Sequence, residues 1–348
     1  MTQTFPYISG WDIGGAHVKV ARSDHNGNIQ DVIQIACPLW QGIDQLATAI
    51  ESVFAQLGNQ NDITAITMTG ELVDIFPNRQ AGVAEILACV AQYINHDKIV
   101  VYAAEAGWLK PELAAKYWKS VASRNWQASA SLVAQAIPDG LFVDIGSTTC
   151  DIIPLRHGFA IPHGLDDFQR QTNRELLYTG AIRTPLFALS HNAPFNGVLV
   201  SLAAEVFATT GDCWCLLGLL EPTSIQDSSA DGQPWQVDFC ASRIARLLGT
   251  DANQANIAQW KQLAQWFAEQ QSHLVSNAIL QVLSAHTELA TDAPIIGAGV
   301  GRFIAKACAQ RLNRPYLDFN EILSTQHPAS ADHAPAVAVA LLAQQQLP

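Results

Sequence analysis

The sequence predicts an α/β protein built from two similar lobes, and three observations carry this. A strand ending in Asp12-Ile13-Gly14-Gly15 recurs as a strand ending in Asp144-Ile145-Gly146-Ser147, 132 residues further on. Each copy is followed by a returning strand and a turn, so the context repeats along with the residues. The chain has 348 residues, enough for two domains of ordinary size. A period this long is no solenoid repeat; it suits one α/β lobe that has been duplicated. The expected division is residues 1–138 with 334–348 for the first lobe and 139–333 for the second.

The elements follow in order. Tyr7 to Ile13 reads as a strand, and His17 to Arg22 alternates apolar and polar positions as its returning partner. Asn26-Gly27 is a hairpin signal, and Ile29 to Ile35 is the next strand. Ile43, Leu46, Ile50, Val53, Phe54 and Leu57 fall on one helical face. Ile63 to Met68 is a β-branched strand ending in Thr69-Gly70. Val83 to Ile94 is a second amphipathic helix, Ile99 to Tyr102 a further strand, and Ser123 to Ile137 a helix stopped by Pro138-Asp139-Gly140.

The opening then recurs, with Leu141 to Ile145 as strand, Thr149 to Leu155 as its return and Arg156-His157-Gly158 as turn. Beyond it the pattern loosens. Asn196 to Leu202 holds a strand, Gly211 to Asp231 reads as loop-rich, and Ile257 to Leu289 is mostly helical. Pro294-Ile295-Ile296 is a short strand running into Gly297-Ala298-Gly299-Val300-Gly301. Arg302 to Leu312 resumes as helix. Pro335 sits in a first helical turn, with Ala336 to Gln345 as the last helix.

Composition excludes several classes. Hydrophobic residues make up 49% and charged ones 14%, which is not a disordered chain. Lys and Arg total 19 against 31 Asp and Glu, a net charge of −12. With no basic run there is no footprint for nucleic acid or an anionic membrane surface. No apolar run approaches the ~20 residues of a membrane span. Met1 to Gly10 lacks a basic segment followed by an apolar core, so no signal peptide is expected. Seven scattered cysteines, an odd number, read as free thiols in a reducing cytoplasm. A homodimer is allowed but not required.

The chemistry is expected at the three glycine turns. Glycine lets backbone N–H groups approach a ligand, and successive N–H groups form an anion site. An Asp beside a turn offers the hard oxygen that Mg²⁺ takes. Asp12 and Asp144 are therefore the candidate Mg²⁺ residues. Gly14, Gly15, Gly146, Ser147, Thr148 and Thr149 are the candidate phosphate donors, joined by Gly297, Gly299 and Gly301. That last turn is no dinucleotide fingerprint, and taken alone it reads more readily as tight strand–helix packing. Lys19, on the returning strand, has two open readings, facing the ligand or facing solvent.

The order and spacing of these turns resemble the acetate/sugar kinase, heat-shock chaperone and actin superfamily. Within it Asp144-Ile145-Gly146-Ser147-Thr148-Thr149-Cys150-Asp151 is similar to the hydantoinase/oxoprolinase branch. Asp12-Ile13-Gly14-Gly15-Ala16-His17-Val18-Lys19, Thr67-Met68-Thr69-Gly70-Glu71-Leu72 and Tyr178-Thr179-Gly180-Ala181-Ile182-Arg183-Thr184-Pro185 extend the likeness over nearly the whole chain. The resemblance implies two RNase H-like lobes around a phosphate-binding cleft. Bacterial members of this hydantoinase/oxoprolinase-like family belong to tetrahydromethanopterin-linked C1 transfer, and archaeal relatives make the methanofuran core. They join an aminomethylfuran-methyl diphosphate to the phenol oxygen of γ-glutamyltyramine and release diphosphate. The implied partners are thus a small-molecule diphosphate and a phenolic acceptor of tyramine or tyrosine type.

A phenol with a pKa near ~10 needs a base. Glu71, at a strand end, is the first candidate and Asp74 the second; Glu71 reads equally as a carboxylate placed by a helix dipole. Arg183 is a candidate anion ligand or a loop-pinning residue. Two other classes stay open: an ATP-dependent kinase or oxoprolinase-like amide hydrolase of the same fold, with ATP or ADP bound, and a non-catalytic assembly protein. Cys213-x-Cys215 with Cys240 lacks zinc-site spacing. His157 and His163 lie six apart in a turn region with no metal-motif context. Trp214, Trp235, Trp260 and Trp266 read as core.

Overall fold

The computed structural model describes residues 7–58, 61–323 and 327–346. The strands are β1 (Tyr7–Ile13), β2 (His17–Asp24), β3 (Ile29–Ala36), β4 (Ile63–Met68), β5 (Ile99–Tyr102), β6 (Trp108–Leu109), β7 (Gly140–Ile145), β8 (Cys150–Arg156), β9 (Phe159–Ala160), β10 (Leu176–Leu177), β11 (Asn192–Phe195), β12 (Val198–Ser201), β13 (Ile295–Ala298) and β14 (Tyr316–Asp318). The helices are α1 (Asp44–Leu57), α2 (Arg79–Tyr93), α3 (Pro111–Lys116), α4 (Asn125–Ala136), α5 (Asp167–Thr172), α6 (Thr210–Leu217), α7 (Val237–Leu247), α8 (Ile257–Ala285), α9 (Arg302–Arg311), α10 (Phe319–Ile322) and α11 (Ala334–Gln346).

The chain forms two compact units. The first comprises 1–139, 155–161 and 318–348; the second comprises 140–154 and 162–317. Segments 155–161, 318–323 and 327–333, assigned by sequence to the second lobe, pack with the first.

The first unit's sheet has the order β3-β2-β1-β4-β5-β6. β1 runs antiparallel to β2 and parallel to β4. Its core is aliphatic, with Ile13, Val18, Val20, Ile50, Ile66, Val83 and Ile86 fully buried. α11 lies on β1, and only a glycine fits beneath it: a Cβ on Gly10 would meet the Ala336 carbonyl oxygen at 2.1 Å. Ten consecutive residues of α11, Ala334 to Ala343, are buried, which explains why this helix carries no polar stripe.

The second unit's sheet has the order β10-β8-β7-β13-β14, with β9 also on β8. β7 runs parallel to β13. The sheets therefore share one plan: an Asp-bearing central strand between a returning strand and a parallel crossover strand. α6 and α8 close the second core, where Trp214, Trp235 and Trp260 are buried and Trp266 is partly buried at its edge, against Phe267.

Two stretches depart from the sequence reading. Thr210–Leu217 is a helix, not loop, and at its start Thr209 N–H donates to Asp212 Oδ2 at 2.8 Å. Asn192 to Ser201 is a hairpin, with Asn196 (φ 50°) and Gly197 (φ 82°) as its turn, so the strand expected from Asn196 begins at Val198.

Candidate functional site

The two Asp-Ile-Gly turns match bond for bond. Gly14 N–H donates to the His17 carbonyl at 2.9 Å, and Gly146 N–H donates to the Thr149 carbonyl at 2.9 Å. The Ile13 carbonyl accepts from Thr69 N–H (3.0 Å), and the Ile145 carbonyl accepts from Gly301 N–H (2.8 Å). The carbonyls of each turn are tied down on one side. Gly15 and Ala16 accept from Leu39 and Cys37; Gly146 accepts from Ala181, and Ser147 from Ile182 and Arg183. Among the described residues, the N–H groups of Gly15, Ala16, Ser147 and Thr148 donate to no protein acceptor. Each unit thus presents a pair of successive N–H groups from a half-buried turn, the geometry of an anion nest.

In the first unit Asp12 is 3% exposed and faces Lys19 across the β1–β2 ladder, Oδ2 lying 3.6 Å from Nζ. That register puts the Lys19 ammonium on the Asp12 face, where it is 28% exposed. Burial raises the Asp12 carboxyl pKa, and Lys19 offsets this only in part. Oδ1 of Asp12 is buried without a hydrogen-bond partner. A buried, incompletely satisfied carboxylate is a group that would hold a hydrated Mg²⁺. His333, just before α11, has its pKa lowered to about 3, first by burial and then by its neighbours Lys19, His17 and His327.

In the second unit Asp144 is 8% exposed. Gly299 (φ 81°) packs onto it, and a Cβ there would lie 2.2 Å from the Ile145 carbonyl oxygen and 2.5 Å from Asp144 Oδ1. The Gly301 position closes on Ile145 and Ala181. Gly297 lies within β13, where its missing Cβ makes room for the Tyr316 ring, whose Oη would be 2.5 Å away. These glycines press the β13–α9 turn onto β7. Ser147 and Thr148 are braced from behind by Gly180, where a Cβ would strike the Ser147 backbone at 2.4 Å. The Gly180 carbonyl accepts from Gln271 Nε2 (2.7 Å) and Thr210 Oγ1 (2.9 Å), and Gln271 Oε1 accepts from Trp214 (2.9 Å). Sequence reasoning missed Gln271, since a lone helical Gln carries no local signal. Arg183 extends from this brace, about half exposed, with Asp227 3.9 Å away.

Glu71 does not open onto solvent. It is 1% exposed in a short 3₁₀ turn (Gly70–Leu72), accepts from Ser123 Oγ at 2.7 Å and packs against Gly82. Asp74, just beyond, is exposed. All seven cysteines are buried free thiols. Among the described residues no helix is long and apolar enough to cross a membrane.

A duplicated sheet with an Asp-Gly turn in each copy defines the actin and sugar-kinase-like class of two-lobed α/β proteins. A nucleotide-free structure of acetone carboxylase shares the fold, with TM-score 0.60 and 10% identity, over 96% of this chain and 70% of that one. The hydantoinase/oxoprolinase family matches residues 62–346, and the chain belongs to this family of enzymes. A curated relative from Methanocaldococcus jannaschii, named (4-{4-[2-(gamma-L-glutamylamino)ethyl]phenoxymethyl}furan-2-yl)methanamine synthase, is 32% identical over 70% of this chain and 72% of its own length. A relative of the same name from Methanococcus vannielii is 30% identical over 63% of this chain and 97% of its own.

Proposed function

We propose that this chain is an alkyl transferase of methanofuran-type cofactor synthesis. It would join an aminomethylfuran-methyl diphosphate to the phenol oxygen of a glutamyl-tyramine-type acceptor. The observation that carries the reading is the likeness to two synthases of that aryl ether, together with an anion nest beside a buried Asp in each unit. In the reaction the bond from the methylene carbon to the diphosphate oxygen breaks and a bond from phenol oxygen to that carbon forms. The phenol loses its proton to a base.

The furan oxygen donates electrons toward the methylene carbon, so the demand on the protein is to neutralise the departing diphosphate and to position the phenol. An N–H pair, Gly15 with Ala16 in the first unit or Ser147 with Thr148 in the second, would supply the first, and in the first unit Lys19 adds charge. Asp12 and Asp144 would each hold Mg²⁺ through water, and the ion supplies further neutralisation of the leaving group. Arg183 suits a carboxylate or phosphate oxygen. Of the two base candidates, exposed Asp74 is the one an entering phenol reaches, while Glu71 fixes the turn that carries it.

The test is aryl ether formation from the furfuryl diphosphate and a tyramine-type acceptor with Mg²⁺ and no nucleotide. Ether and diphosphate should appear in equal amounts. Strict dependence on ATP hydrolysis in the same assay would overturn the reading in favour of a kinase or amide hydrolase.

A further inference from the structure

A second cluster in the second unit has no part in this chemistry. His163, Glu175 and His286 bring one ligand atom each to within 4.8 Å of one another. Glu175, just before β10, is 1% exposed, and its two oxygens are aimed by backbone donors: His163 N–H to Oε1 (2.6 Å) and Gly164 N–H to Oε2 (2.9 Å). Among the described residues it has no Lys or Arg ion-pair partner, although a buried carboxylate calls for a positive charge. His286, at the C-terminal end of α8, is 3% exposed. Its Nδ1 lies 3.2 Å from Glu288 Oε1, which leaves Nε2 as the ring nitrogen available to a ligand. That Nε2 is buried without a partner. The exposed His163 ring lies 4.4 Å from the His286 ring.

We propose that His163, Glu175 and His286 bind a first-row divalent transition metal, with Zn²⁺ as the type ion. Two imidazoles and one carboxylate suit such an ion and do not suit Mg²⁺. Ligand atoms about 2.0–2.2 Å from zinc stand roughly 3.3 Å apart, so a small rotation of the exposed His163 ring closes the set. The Glu288 contact is the carboxylate–histidine pair that orients a ligating imidazole. Three protein ligands leave one position open for water. The ion would tie the 163–165 segment and the strand behind Glu175 to the end of α8. Sequence reasoning discounted His163 by weighing it against His157; its partners lie 12 and 123 residues further along the chain.

The test uses the full chain, stripped with EDTA and titrated with Zn²⁺ against a chromophoric chelator, with Co²⁺ as a spectroscopic probe. One equivalent should bind with micromolar affinity or better, and Co²⁺ should show the d–d bands of a low-coordinate N/O site. His163→Ala, at an exposed position where folding is safe, and His286→Ala should each lose this binding at least about tenfold. Glu288→Gln should weaken it about 10–100-fold while leaving the Co²⁺ bands. Absence of stoichiometric metal in the wild type overturns the site. So does unchanged uptake by His163→Ala, which would assign any bound zinc to the thiols instead.

Discussion

Replacing Asp12 by Asn should raise stability and remove ligand binding at once. The side chain is 3% exposed, with Lys19 Nζ 3.6 Å from its Oδ2. At an effective dielectric of 20 that attraction is worth about 4–5 kcal/mol gross. Desolvation of a buried carboxylate costs several kcal/mol and here outweighs it, which is why burial raises this carboxyl's pKa despite the lysine. Lys19 is partly exposed and regains water when its partner goes. The variant should therefore be unchanged to about 2 kcal/mol more stable at pH 7. A raised native pKa means the native state holds the proton more tightly than the unfolded chain. Its stabilising contribution is full at low pH and is lost as pH rises through the native value. The gap between variant and wild type should therefore shrink as pH falls and Asp12 becomes neutral. With Mg²⁺ and diphosphate the order should reverse, since only the wild type gains, by about 2.7 kcal/mol at a hundredfold excess over Kd. Urea melts at two pH values, with and without ligand, measure all of this. A variant more than about 1 kcal/mol less stable without ligand at pH 7, or equal ligand gains for both proteins, would refute the reasoning.

Two further outcomes follow from the geometry. Gly299→Ala should cost roughly 2–5 kcal/mol in denaturant unfolding, combining a φ of 81° with a Cβ 2.2 Å from a carbonyl oxygen; a loss under about 1 kcal/mol would show that the β13–α9 turn is free to move. His333, lowered to about 3 in the native state, stays neutral while the unfolded chain protonates below its ordinary value. Stability is then full above about pH 6.5 and is lost as pH falls toward 3. His333→Gln should flatten unfolding free energy against pH by up to about 1.4 kcal/mol per unit between pH 4 and 6, and an unchanged slope would contradict the burial of this imidazole.

The plan of both sheets was legible because its signal is local: a strand, an Asp-Ile-Gly end and a returning strand can be read within fifteen or so residues, and the repetition supplies the pairing. What escaped depends on distant partners or on signals not applied. The capping residues Thr209 and Asp212 announce α6, but Gly211 and the cysteines around Trp214 obscured them. Asn196-Gly197 carries the same turn signal as Asn26-Gly27, set inside a run that also reads as strand. At the site, alternation alone left Lys19 undecided until the register against Asp12 placed it. Glu71 looked available because it ends a strand; Ser123 and Gly82, both far along the chain, bury it. Gly297 resembled a ligand loop, and only the Tyr316 ring shows what its missing side chain makes room for.

The seat of α11 on β1 sets an order for synthesis. Strand β1 leaves the ribosome about 320 residues before the helix that covers it, and Gly10 has no side chain with which to shield that face. At roughly 5–20 residues per second, about 10–40 s separate the appearance of residue 139 from that of the C-terminal helix. Throughout that interval the first unit carries an uncovered apolar strand face while the second, whose segments lie wholly within residues 140–317, can complete its core. A chain that stops between residues 318 and 333 therefore holds every segment of its second core and lacks the helix that covers β1 in the first.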